Sequence, residues 1–303
     1  GTYAFSEESG RTEGRGLQCV PTAIELNMLT MTKSHVNGYF CDFGEGNIGF
    51  ENGFEYAVKL AHDDGGITYI NHPGDWLKAH WDVNNAKKLE NIRFFAEIFE
   101  KYDSCLGIEV CNRVCSDSKN DRILWDELLK YVLPHGKRTV IGFADSDAHV
   151  LTDIDTSFMD FILPVFTPEN MRRAMETGTF FAESKYARNE LGEDFKAEGE
   201  PPVVTYINVD EKKQTITFRG KRAEKLQWVA DGEIIKEDLA DADGNVVSEI
   251  SLTEYSDKIG CYVRAQLLGK GGALFSQAFI CDDGDMARFI IKDERTDGEK
   301  EVE

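Results

Sequence analysis

The hydrophobic period of this chain changes near residue 196, and that break restricts the fold more than any single motif does. Before it, short apolar runs at 67–70, 106–110, 139–144 and 179–182 alternate with stretches at 54–62, 92–102, 123–132 and 168–177. These longer stretches carry apolar residues at i, i+3 and i+4, as amphipathic helices do. The last of them has a complete set of boundary signals: Thr167 to cap, Pro168 and Glu169 in the first turn, and Gly178 to stop. Strand–helix alternation of this kind predicts a parallel sheet or a barrel. After a charged stretch at 193–202, which ends in Pro201-Pro202, the helical period disappears. Runs at 203–209, 214–219, 225–230, 246–252, 260–268 and 274–281 read as strands, separated by turn pairs such as Asp231-Gly232, Asp243-Gly244 and Gly271-Gly272. Short strands at that density predict a β-sandwich. The expected organisation is an α/β domain over residues 1–196 followed by an immunoglobulin-like all-β sandwich over 197–303.

The chain has 303 residues, and its 34 Lys and Arg against 55 Asp and Glu give a net charge of −21. Phosphate backbones and anionic membranes are bound through clustered Lys and Arg, so nucleic acid and membrane surfaces are excluded as expected partners. A small phosphorylated substrate is not excluded, because bound metal ions invert the local field. No apolar run reaches the length of a membrane span, and no N-terminal leader pattern is seen. The seven cysteines are odd in number and scattered, which does not describe a disulfide framework. Cys111 and Cys115 lack a second Cys/His pair at zinc-site spacing and read as buried free thiols. A reducing, cytoplasmic setting is the expectation, and homo-oligomerisation is left open.

Candidate chemistry gathers where apolar runs end. Asp147-Ala148-His149 follows the run at 139–144, and residues i and i+2 of an extended segment point the same way. His72 lies in Asn71-His72-Pro73-Gly74, directly after the run at 67–70, where Pro and Gly force a turn. His35 stands between Met31-Thr32 and Val36, and Glu25 is a carboxylate inside the apolar run Ala23-Ile24-Glu25-Leu26. Singly, each has a structural reading: a strand-end His bonded to backbone, a Glu facing solvent, an Asp capping a loop. Together they form a mixed imidazole and carboxylate set that suits Zn, Mn or Fe.

In the order Ile24-Glu25, His35-Val36, Asn71-His72-Pro73-Gly74, Gly107-Ile108-Glu109-Val110 with Asn112, and Ser146-Asp147-Ala148-His149, these segments resemble successive motifs of the PHP (polymerase and histidinol phosphatase) family. The likeness is strongest to its two-domain CehA/McbA-like branch of metal-dependent phosphoesterases, and it covers about residues 20 to 185. Trp228 with Asp231-Gly232, and Tyr262-Val263-Arg264-Ala265 with Gln277, resemble the small β-domain of that branch. The resemblance implies a distorted (β/α) barrel with two or three divalent metals at its carboxyl mouth. It implies Glu25 as a bridging ligand, His35 and His72 as ligands of the second metal, Asp147 as a ligand of the first, and His149 as a ligand of the third or a group beside the scissile phosphate. Arg113 is the expected phosphate clamp. The family opens with His-x-His, whereas no His precedes His35 here, so the barrel is expected to lack its first units within this sequence; a preceding segment supplying them is the first expectation, with a partner chain that supplies them or a degenerate, non-catalytic barrel as the alternatives. The expected activity is hydrolysis of a phosphate ester by metal-activated water, with Asp147, His149 and Arg113 in the catalytic machinery. Hydrolysis of another ester or amide bond, or a non-catalytic binding role, are the alternatives.

Overall fold

A computed structural model describes residues 22–27, 34–42, 48, 53–113, 120–136 and 138–291. The first of its sheets has the order β1-β2-β3-β4-β5, built from β1 (Ala23–Leu26), β2 (Val36–Tyr39), β3 (Ile67–Ile70), β4 (Cys105–Cys111) and β5 (Ile141–Ala144). β1–β2 and β2–β3 are antiparallel, and β3–β4 and β4–β5 are parallel. The crossovers are helical. α1 (Phe54–Asp63) precedes β3, α2 (Pro73–Leu77) and α3 (Leu89–Lys101) lie between β3 and β4, and α4 (Asp121–Gly136) lies between β4 and β5. Every residue of β3, β4 and β5 is buried, which is why these strands read as continuous rather than alternating apolar runs. One side packs Ile70, Ile108 and Val110 against Phe54, Phe95, Phe99 and Leu128 of the helices. The other packs Ile67, Tyr69 and Phe143 against Met175 and Phe180. The parallel strands approach so closely that a Cβ on Gly107 would fall 1.9 Å from the Ile141 carbonyl oxygen, so only glycine fits there.

The second sheet runs β11-β10-β13-β14-β7-β6, with β15 paired to β13. It contains β6 (Ser157–Phe161), β7 (Phe180–Ser184), β10 (Lys225–Ala230), β11 (Glu233–Leu239), β13 (Tyr262–Gly269), β14 (Gly272–Phe275) and β15 (Phe279–Ile280). A third sheet, β12-β9-β8, is made of β8 (Val203–Asp210), β9 (Thr215–Lys221) and β12 (Val246–Ser251). Phe218, Ile216, Val246 and Ile250 of the third sheet share one apolar core with Trp228, Leu226, Val263, Leu267 and Phe181 of the second. α5 (Pro168–Thr177) has the boundaries its sequence signals require. Thr167 accepts the Asn170 amide at 3.2 Å, and Gly178 closes the helix at φ 65°.

Three features depart from the expected layout. Parallel pairing is confined to β3, β4 and β5, and among the described residues the sheets do not close into a barrel. The run at 179–182 is antiparallel: β7 pairs β6 on one side and β14 on the other, with Ala182 opposite Phe275 and Ser184 opposite Ala273. Hydrogen bonding therefore crosses the change of period near residue 196. The run at 274–281 is split at Ser276-Gln277-Ala278, because Gln277 leaves the sheet to bind the edge of β5. It accepts the Gly142 amide at 2.9 Å and donates to the Gly142 carbonyl at 2.8 Å.

One buried ionic contact joins the two parts of the chain, and another closes the first part on itself. Arg264 on β13 grips Asp126 on α4 with two bonds of 2.8 Å, Tyr262 donates to the same carboxylate at 2.8 Å, and the guanidinium lies 5.2 Å from the Trp125 ring. Arg122 makes a second fork to Glu190 on α6 (Arg188–Leu191) while donating to the Val110 carbonyl at 2.8 Å. No helix among the described residues is long and apolar enough to cross a membrane. Cys41, Cys105, Cys111 and Cys261 are buried free thiols and Cys281 a half-buried one, while Cys115 lies outside the described residues.

Candidate metal centre

The carboxyl ends of β3, β4 and β5 and the neighbouring ends of β1 and β2 converge on one side of the first sheet. Register explains why. Glu25 stands opposite Asn37, and Asn37 opposite Tyr69, so the three share a face, and His35, two residues before Asn37, projects to the same side. His72 follows β3 at the turn into α2, and the Asn71 amide donates to the His35 carbonyl at 3.0 Å, fixing one segment against the other.

The result is a compact three-ligand group. His35 Nδ1 lies 3.2 Å from Glu25 Oε1 and 3.2 Å from His72 Nε2. One nitrogen or oxygen from each of Glu25, His35 and His72 falls within 4.8 Å of the others. Tetrahedral zinc with ligands at about 2.05 Å separates neighbouring donor atoms by about 3.3 Å. The two measured spacings match that edge. The rings meet edge to face, 5.1 Å between centroids, and both are largely buried while Glu25 is a third exposed.

The electrostatics differ sharply between the two glutamates of the site. For Glu25, burial raises the carboxyl pKa, but the His35 hydrogen bond and charge, the Asn71 hydrogen bond and the His72 charge outweigh it, so the group stays below its ordinary value as an anion. Glu109 is fully buried under His72, and burial pushes it up to about 8 against the pull of the His72 backbone amide and Asn112, with the Asp147 charge adding to the rise. Asp145 is likewise pushed well above its usual range by burial and by Glu109. It accepts bonds from Tyr69 at 3.0 Å and Asn37 at 3.1 Å.

The other expected residues lie at the same mouth but outside this group. Asp147 has φ 41° and donates its amide to Asp145 at 3.0 Å. His149 is mostly exposed, with Nδ1 2.7 Å from the Asp147 carbonyl oxygen and 3.4 Å from Asp147 Oδ1. Arg113 Nη1 is 3.4 Å from that same imidazole nitrogen and 3.2 Å from Asp153. Asp153 also accepts the amides of His149 and Val150, at 2.9 and 3.1 Å, and so ties the loop after β5 to Arg113. Asp145, Asn37 and Asp153 were not marked by the motifs. Spacing could have found Asn37, which sits two positions from His35 on an extended segment; the left-handed turn at Asp147 breaks that rule for Asp145.

The arrangement can hold a divalent cation between two imidazoles and a carboxylate, with a cationic side chain on the same rim. That defines a candidate metal site in an α/β protein. Comparison with protein-family models gives no match for the chain, and comparison with curated proteins gives none either.

Proposed function

We propose that this chain is a metal-dependent hydrolase of phosphate esters. The observation that carries the reading is the convergence of Glu25 Oε1, His35 Nδ1 and His72 Nε2 from three separate segments. The ordered motifs that resemble the PHP family point the same way, and with them the finer architecture: a PHP-type barrel of which β1–β5 form part, followed by an immunoglobulin-like β-sandwich.

Glu25, His35 and His72 would hold the ion, and Asp147 would reach a neighbouring one. Bound Zn, Mn or Fe supplies an activated water and offsets charge on the phosphoryl oxygens. Arg113 offers a guanidinium fork for a phosphoryl oxygen, and His149 beside it is placed to give a proton to the leaving oxygen. Asp145, held by Tyr69 and Asn37, accepts the Asp147 amide and so braces the Asp147 turn.

The fact that Asp147 and His149 stand apart from the three-ligand group favours one narrower reading: a single ion on Glu25, His35 and His72, in a protein that binds without turnover. Metal content of the purified protein, with a panel of phosphomonoesters, phosphodiesters and carboxylic esters, separates the two. Bound metal with phosphoesterase activity lost in Asp147→Asn supports the hydrolase. Bound metal with no turnover of any ester supports the binding protein, carboxylic-ester turnover alone replaces the substrate class, and absence of metal removes both readings.

A further inference from the structure

The His72 turn is held from beneath by two fully buried carboxylates. Glu109 Oε2 accepts the His72 backbone amide at 2.6 Å and lies 3.2 Å from His72 Nδ1, while its Oε1 accepts the Asn112 amide at 2.9 Å. Two residues on, the Gly74 amide donates to Asp121 Oδ1 at 2.6 Å. Between these anchors His72 takes φ 27° and ψ 55°, a conformation that L side chains rarely adopt and that persists only when its surroundings impose it. The ring is thereby pinned at both its backbone and its Nδ1.

We propose that Glu109 is a positioning residue that holds the His72 imidazole with Nε2 turned towards Glu25 and His35, and that it is not itself a metal ligand. The inference rests on the metal reading above. Nδ1 and Nε2 lie on opposite sides of the imidazole, so a carboxylate oxygen in contact with Nδ1 does not share an ion with Nε2. Asn112 Nδ2 also approaches Nδ1, but at 3.5 Å, the limit for a hydrogen bond. The shorter Glu109 contact decides the tautomer: Nδ1 carries the proton and donates it to Glu109, leaving the Nε2 lone pair for the cation. A carboxylate behind a ligating imidazole fixes the ring and makes its free nitrogen more basic.

Zinc affinity of the metal-free full chain, read by competition with a chromophoric chelator, is the first test. Glu109→Gln is expected to weaken zinc binding about 10- to 100-fold without changing the number of ions bound. The second test needs no variant: ring ¹⁵N shifts of His72 in the zinc-loaded wild type should show Nε2 coordinated and Nδ1 protonated. Zinc bound through Nδ1 overturns the proposal, as does Glu109→Gln with wild-type affinity. Loss of one whole equivalent of zinc in Glu109→Gln, at unchanged affinity for the rest, would make Glu109 a ligand and overturn it too. If the wild type takes up no zinc, it is the metal reading that fails.

Discussion

Glu25 and Glu109 are the same residue type, each 3.2 Å from one of two adjoining imidazoles, and their environments drive them apart. Glu25 keeps contact with solvent and has His35 beside it, so it stays an anion able to ligate. Glu109 has no exposure, and burial pushes its carboxyl up to about 8. The position of His72 was legible in the sequence, because a turn directly after a buried strand presents its side chain at the strand's end; Glu25 within β1 and His35 just before β2 stood out only as polar groups beside apolar runs. The role of Glu109 was not legible, since a glutamate inside an apolar run looks alike whether it ligates a metal or backs a histidine. A third glutamate gives a test of burial away from the site. Glu183 on β7 is raised to about 8 by burial and by Asp160, with Arg222 opposing. The folded protein holds this proton while the unfolded chain releases it, so stability contributed by Glu183 is full below about 4.5 and declines as pH rises towards 8. Glu183→Gln should therefore gain stability over wild type at pH 8, by an amount on the order of a few kcal/mol, and little at pH 5. Urea midpoints at the two pH values check this, and an equal gain at both would contradict it.

At the scale of elements, the continuous apolar runs identified β3, β4 and β5 because both of their faces are covered. β11 escaped notice, since its sequence Glu233-Ile234-Ile235-Lys236-Glu237-Asp238-Leu239 carries the charges of an edge strand. Edge position also explains Gln277. The outer backbone of β5 has its Gly142 amide and carbonyl bound by one side-chain amide, which takes the place of a neighbouring strand. Nothing in the run at 274–281 announced that role, because it depends on a partner 135 residues away. Gln277→Ala leaves both Gly142 groups without those bonds, at a cost of about 1–3 kcal/mol. The Gly142 amide should then exchange with solvent at least tenfold faster, while the amides of β3 keep their protection. Unchanged exchange at Gly142 would show that the contact does not hold the edge.

Across the whole molecule, the sheet that joins β7 to β14 and the ion pair between Asp126 and Arg264 bind the two halves into one structure. The change of period near residue 196 was visible in the sequence, but the pairing across it was not, since antiparallel strands far apart in sequence leave no local signature. Asp126→Asn leaves a buried guanidinium without its anion and should cost about 3–5 kcal/mol. Asp126→Leu combined with Arg264→Met should recover much of that loss, as apolar replacements of buried ion pairs do. Thermal unfolding of the three proteins reads this directly, and a double variant no more stable than Asp126→Asn would contradict it. The central claim is that three segments of the first sheet are arranged to bind a metal. Zinc titration of the metal-free protein tests it most directly. The wild type should bind at least one equivalent tightly, His35→Ala and His72→Ala should each lose the equivalent held by these residues, and His62→Ala, whose ring bonds Ser104 instead, should keep it. Wild type and His72→Ala binding zinc alike would contradict the account.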